Sequence, residues 1–237
     1  MEWTDQGIVL SARRHGESSA VVNLLTREHG RHAGLVKGGA GKAARGALQP
    51  GNRLLAQWRA RLAEQLGFLS WELLASQGAN WLHDPARLAV VSSACAMVEA
   101  TLPEREAHPA VYDGLVALLD GLAEEAWPSL YVHWELGLLG DLGYGLDLSS
   151  CAATGATGDL TFVSPRSGRA VSALAGEPYR DKLLALPGFL LEKRAGTTDE
   201  VLAGLRLTGH FIERHVLGPH HRSLPAARSR LVERLKP

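Results

Sequence analysis

Cysteine is scarce in this chain: there are two in 237 residues, Cys95 in an apolar helical run and Cys151 at the head of a stretch rich in Thr, Gly and Ser. So few thiols in such unlike settings argue against a disulfide framework. Aromatic residues make up only 6% of the chain, and Lys+Arg balance Asp+Glu at 25 each, so no global basic excess announces nucleic acid. No uninterrupted apolar run approaches the roughly 18 residues of a membrane span. The N-terminus, MEWTDQGIVLSARR, has its acids before its short apolar run and its arginines after it, the reverse of a secretory leader. A soluble, cytoplasmic protein is expected.

Catalytic signatures are missing as well. No GxSxG, HExxH or CxxC motif occurs, and Asp141, Asp147 and Asp159 are scattered through a loop-rich region without metal-ligand spacing. The segment GLVKGGAGKAA, Gly34 to Ala44, has the Gly41-Lys42 pair of a phosphate-binding loop. Val36 stands where that motif needs Gly, however, and Ala43 where it needs a hydroxyl for magnesium. Neither an enzyme nor a bound cofactor is expected.

What is present is 46% hydrophobic content, ample for a core, and a charge balance that hides segregation. Residues 1–80 carry 10 Lys+Arg against 6 Asp+Glu, residues 81–130 carry 2 against 8, and residues 131–237 carry 13 against 11. The local nets are +4, −6 and +2, so one face can attract a polyanion in a neutral chain.

The first third reads as strands: β-favouring runs over Gly7–Arg14, Ala20–Arg27 and Arg31–Lys37, with Glu28-His29-Gly30 as a hairpin loop. Gly38 to Gly46 reads as a flexible loop or short helix. In the fourth run Leu54, Ala56, Trp58, Ala60 and Leu62 alternate with Arg53, Leu55, Gln57, Arg59 and Arg61, which puts the arginines on one face. A fifth run, Leu66–Leu73, completes what suits a small closed barrel of the OB type. From Trp81 the period becomes helical, over Leu88–Leu102, Val111–Ala123, Leu130–Leu142 and Glu200–Val216, with Asp84-Pro85 as a helix start. The fold class expected is α+β: an OB-type barrel over 1–79, then a helical domain over 80–237 with an inserted loop or hairpin module at about 147–172.

Lys37, Lys42 and Arg45 on the Gly-rich segment, beside Arg53, Arg59 and Arg61 on the fourth strand, would line a groove of phosphate-binding size. The plainer reading is that charges on an exposed strand keep an edge soluble. Trp58 falls on the apolar face, so a base-stacking platform is not evident and phosphate contacts would dominate. Cys151-x-x-Thr154 and Ser164-x-x-Ser167-Gly168 have the two-pair spacing of a zinc ribbon, but zinc wants thiolates or imidazoles and three of the four positions are hydroxyls. His210, His215, His220 and His221 read as capping or solvated. Residues Arg206 to Lys236, with 7 Lys+Arg against 2 Asp+Glu interleaved with Phe211, Ile212, Val216 and Leu217, read as a basic helical surface, solvated or open to an acidic peptide.

With those residues set out, the whole chain resembles the RecO family of recombination mediators, in the form common in alphaproteobacteria. The resemblance rests on GIVLSARRHGESSAVVNLLTREHGRHAGLVKGG, ALQPGN, WELGLLGDLGYGLDLSSCAATG, SPRSGRAVS, GEPYRDKLLALPGFL and LRLTGHFIERHVL. It implies an OB fold, a helical domain and, in many members, a four-cysteine zinc site, of which Cys151, Thr154, Ser164 and Ser167 would be a metal-free remnant. It also implies annealing of single strands coated by single-stranded-DNA-binding protein, contact with that protein's acidic C-terminal tail, binding of double-stranded DNA, and action with RecR, and with RecF and RecA, at the nucleoid. Lys37, Lys42 and Arg45 match the family's basic loop, and Arg53, Arg59 and Arg61 its basic strand. The competing expectation is a protein-interaction adaptor with negligible DNA contact.

Overall fold

The computed structural model describes residues 1–236. Its strands are β1 Glu2–His15, β2 Ser19–Thr26, β3 Gly30–Val36, β4 Arg53–Arg59, β5 Phe68–Ala75, β6 Leu160–Val163, β7 Ala170–Ser172 and β8 Leu184–Ala185. Its α-helices are α1 Lys42–Ala47, α2 Gln77–Asn80, α3 Pro85–Thr101, α4 Pro109–Asp120, α5 Trp127–Asp141, α6 Ala173–Gly176, α7 Thr198–Phe211 and α8 Ala226–Leu235. The architecture is α+β: the first five strands close a barrel in the order β1-β2-β3-β5-β4, with β4 pairing back to β1, and helices follow.

Closure follows from the period of β4. Leu54, Ala56 and Trp58 are buried, whereas Leu55, Gln57 and Arg59 face outward. The inward set joins Val9, Val22, Leu24, Val36 and Leu69 in one apolar cluster, each large member stabilising the fold by roughly 1.5–3 kcal/mol. Closure gives every barrel strand a neighbour on both sides, although β3 meets β5 at Leu35 and Phe68 alone. Gly38 to Gly46 resolves into α1 and its lead-in. Ala44 packs on the barrel cluster and Leu48, just past the helix, lies within it. Lys42 and Arg45 remain exposed.

Strand β1 starts earlier than the sequence pattern predicts, and its Ile8, Val9 and Leu10 are all buried. Helix α3 covers one side of the strand: the Cys95 thiol donates to Val9 O at 3.5 Å, and Glu99 accepts from Ser11 Oγ at 2.9 Å and Asn23 Nδ2 at 3.0 Å. A strand covered on both faces has no reason to alternate. The hairpin from β2 to β3 needs Gly30, which sits at φ +66 with an added Cβ only 1.8 Å from Glu106 O. Strand β4 stops at Arg59, so the alternation read on to Leu62 runs past the strand, and Arg61 lies in the turn to β5.

Helix α3 starts as its sequence predicts, with Asp84 accepting from Ala86 N and Arg87 N, both at 3.0 Å. Helix α7 opens on a capping box between Thr197 and Glu200 and runs on into a π-helical stretch, Ile212–Leu217. The inserted segment is a three-stranded sheet in the order β7-β6-β8. Its third strand, β8, lies beyond the predicted end of the segment at about 172, because Phe162 and Val163 pair with Ala185 and Leu184 as well as with β7. The chain forms two compact units: Met1–Leu119 with Pro225–Leu231, and Asp120–Leu224 with the residues from Val232.

Candidate nucleic-acid interface

Sheet register aligns outward side chains in rows across the barrel wall. Glu2 on β1 pairs with Arg59 on β4, and Arg59 pairs with Phe68 on β5, while Phe68 stands beside Leu35 on β3. The next row is Thr4, Gln57 and Ser70. Lys37 follows the end of β3 and extends its ammonium over the Phe68 ring, 4.6 Å from the centroid. Two adjoining recesses share Glu2, Leu35, Arg59 and Phe68: one of about 500 Å³ reaches Lys37, Gln57, Ser70 and Trp71, and one of about 750 Å³ reaches Arg61 and Gln65. Together they make a groove bordered by three of the six predicted cations, Lys37, Arg59 and Arg61.

The other three lie elsewhere on the same unit. Lys42 and Arg45 are exposed on α1, whose lead-in is tied to the β1–β2 hairpin by Ala40 N donating to Ser18 O at 3.0 Å. Arg53 faces outward at the opposite end of β4, where it pairs with Ile8 and Ala75, so about 20 Å of strand separates it from Arg59.

Ion pairing sorts the basic side chains by role. Arg27 forks onto Asp113, with both contacts at 3.1 Å, and Arg31 meets Glu104 at 3.2 Å. Those arginines hold the barrel to α4 and to the chain after α3. Among the described residues, by contrast, Lys37, Lys42, Arg45, Arg59 and Arg61 have no carboxylate within salt-bridge distance. Glu2, inside the groove, accepts from Gln57 Nε2 at 2.8 Å. Cations left unsatisfied beside a recess are free to meet phosphate oxygens.

The remnant positions form two matching turns. Gly155 N donates to Cys151 O at 2.8 Å and Gly168 N to Ser164 O at 2.9 Å, with both glycines in the left-handed conformation. Ala152 N donates to Ala170 O, which fastens the first turn to β7. Cys151 is 1% exposed, and its sulfur accepts from Ser172 N at 3.3 Å and Ser172 Oγ at 3.4 Å. Hydrogen bonds from the Ser172 and Thr154 hydroxyls bring this thiol down to about 6, against the opposing effect of burial. Burial pushes the Cys95 thiol up to about 12.

Two family models cover the chain, Recombination protein O N terminal over residues 1–77 and Recombination protein O C terminal over residues 82–225. The chain belongs to the recombination protein O family. Proteins named DNA repair protein RecO are similar to it along their lengths: that of Rhodospirillum centenum is 58% identical, covering 100% of this chain and 95% of the relative. That of Rhodospirillum rubrum is 52% identical, covering 100% and 97%, and that of Phenylobacterium zucineum is 51% identical, covering 99% and 98%. RecO membership places the chain among DNA repair and recombination proteins.

The zinc that the RecO resemblance implies does not fit these donors. One thiol and three neutral hydroxyls lack the charge and softness of a structural zinc set, and among the described residues no group of three His, Cys, Asp or Glu is gathered for a metal. In this RecO-family chain the Cys151 sulfur is instead an acceptor for Ser172. Phe68 and Trp71 are the groove residues that sequence reasoning missed. Only the pairing of β4 with β5 sets Phe68 opposite Arg59, and the sequence signal for it is the length of the turn between those strands. His210 and His215 are not the capping or solvated residues expected: His215 stacks between Tyr144 and Phe211, with centroids at 5.3 and 5.9 Å, and His210 meets Phe211 edge-on at 5.2 Å. Phe211, Ile212 and Leu217 are at most 2% exposed and build core, whereas Val216 is half-buried.

Proposed function

We propose that this RecO-family chain is a non-enzymatic recombination mediator of the cytoplasm and nucleoid. It binds single- and double-stranded DNA through the barrel, anneals complementary strands, and acts with RecR, and through it with RecF, to load RecA onto strands coated by single-stranded-DNA-binding protein. The helical domain takes that protein's acidic C-terminal tail. The observation that carries the reading is the groove bordered by Lys37, Arg59 and Arg61, cations without carboxylate partners among the described residues. Lys42 and Arg45 extend the same charge, and Arg53 adds a contact at the far end of β4. Annealing requires two phosphate backbones to approach, and fixed cations offset their repulsion.

Changing Lys37, Lys42, Arg45, Arg59 and Arg61 together to Glu is expected to abolish annealing of complementary oligonucleotides while the thermal melt stays close to that of the parent. Unchanged annealing would remove the barrel from the reaction. The adaptor reading draws on Leu55, Leu73 and Leu74, which are 36%, 42% and 48% exposed on β4 and β5. An adaptor would show no salt-dependent affinity for DNA.

A further inference from the structure

Phe68 has no role in a groove that works by charge alone. It is 47% exposed on the outer wall of the barrel, although its neighbour Leu69 is core and a phenyl ring gains nothing from water. Arg59 stands opposite it on β4, and Lys37 covers one face of the ring. The recess in front of it, about 500 Å³, is bordered by Gln57 and Ser70 and has the volume of a site for a small ligand. A flat aromatic face, an ammonium resting on it and a second cation alongside match the alternation of base and phosphate in an unpaired strand.

We infer that Phe68 is the stacking platform for one base of single-stranded DNA and that Lys37 is its removable cover. In the free protein the ammonium lies on the ring. When a strand enters, Lys37 and Arg59 turn to flanking phosphates and a base occupies the face that Lys37 leaves. The exchange runs towards DNA because an exposed cation–π contact is weaker than a base–aromatic stack, and the lysine gains a phosphate in place of the ring it leaves. A duplex offers no free base face, so Phe68 makes the groove prefer single strands, whereas the cations alone serve both forms. The inference rests on the groove being the DNA site.

The test measures binding of a short single-stranded oligonucleotide and of a duplex of equal length across a salt series, for the parent, Phe68→Leu, Phe68→Trp and Lys37→Gln. Phe68→Leu keeps an apolar side chain at a surface position, and equal thermal melts check its fold. It is expected to weaken single-strand binding by about fivefold or more, the lower end of one lost base stack, with an unchanged salt slope and unchanged duplex affinity. Phe68→Trp is expected to restore or exceed the parent. Lys37→Gln is expected to lower the salt slope for both forms by about 0.7 to 1. Single-strand affinity of Phe68→Leu equal to the parent, or an equal loss on single strand and duplex, overturns the stacking platform. If the five-site Glu variant above still loses binding in that case, the groove stands and only the stacking fails. If that variant also binds as the parent does, the groove reading falls and the platform with it.

Discussion

His32 lies in the barrel wall at 7% exposure, edge-on to Trp3 and Trp58 with centroids at 5.0 and 4.7 Å. Neither of its ring nitrogens makes a well-formed hydrogen bond among the described residues, and the His29 backbone favours the charged ring only as the smallest influence. Burial, helped by the charges of Arg105 and His29, holds its folded-state value down at about 4, below the ordinary 6.5. The neutral ring is therefore favoured in the fold. The corresponding stability is complete above about pH 6.5 and is lost as the pH falls towards 4, at most on the order of 3 kcal/mol. Melting temperatures at pH 7, 5.5 and 4 should fall more steeply for the parent than for His32→Phe. The phenyl variant fills the same aromatic contacts without a proton to bind, so parallel curves would show that another group governs the acid limb.

At the scale of elements, α7 and the β7-β6-β8 sheet are held by different devices. Thr197 accepts from Glu200 N, and the Glu200 carboxylate accepts from Thr197 N at 2.9 Å while also holding Arg194, so two backbone donors at the start of α7 are satisfied reciprocally. Thr197→Ala is expected to cost about 1 kcal/mol, read as a lower denaturant midpoint at unchanged slope. The small sheet is held by backbone bonds from Ala152 to Ala170 and from Ala170 to Asp147, and by the Ser172 contacts to Cys151. A chelator should leave its hydrogen exchange and the melting temperature unchanged, and elemental analysis should find less than stoichiometric zinc. One zinc per chain would contradict the donor argument.

For the whole molecule, overall neutrality is compatible with the proposed DNA binding because charge is segregated: residues 1–80 carry a net +4 and residues 81–130 a net −6. Affinity for single strands should follow the local cations and not the overall zero. If Lys37, Lys42, Arg45, Arg59 and Arg61 each neutralise one phosphate, log affinity falls against log salt with a slope near −3.5, at about −0.7 per contact. Titration at several salt concentrations reads this directly, and a slope near zero would favour the adaptor. Among the described residues no helix is long and apolar enough to cross a membrane.

Local pattern was enough for much of this. The alternation from Arg53 to Trp58 set the inner and outer faces of β4, Asp84-Pro85 marked the start of α3, and Gly30 marked the hairpin, because period, cap and left-handed turn are written in neighbouring residues. That the donors at Cys151, Thr154, Ser164 and Ser167 do not suit zinc was equally legible, since ligand chemistry is a matter of residue type. What tertiary structure alone decided was cross-strand and long-range. Register placed Phe68 opposite Arg59 and beside Leu35 and brought β8 to β6 from beyond the expected segment. Packing buried Phe211 and Ile212 and stacked His215 on Tyr144. A strand's own sequence tells which of its side chains point outward, but which strand lies beside it, and in what register, depends on pairings many residues away; the groove exists only through those pairings.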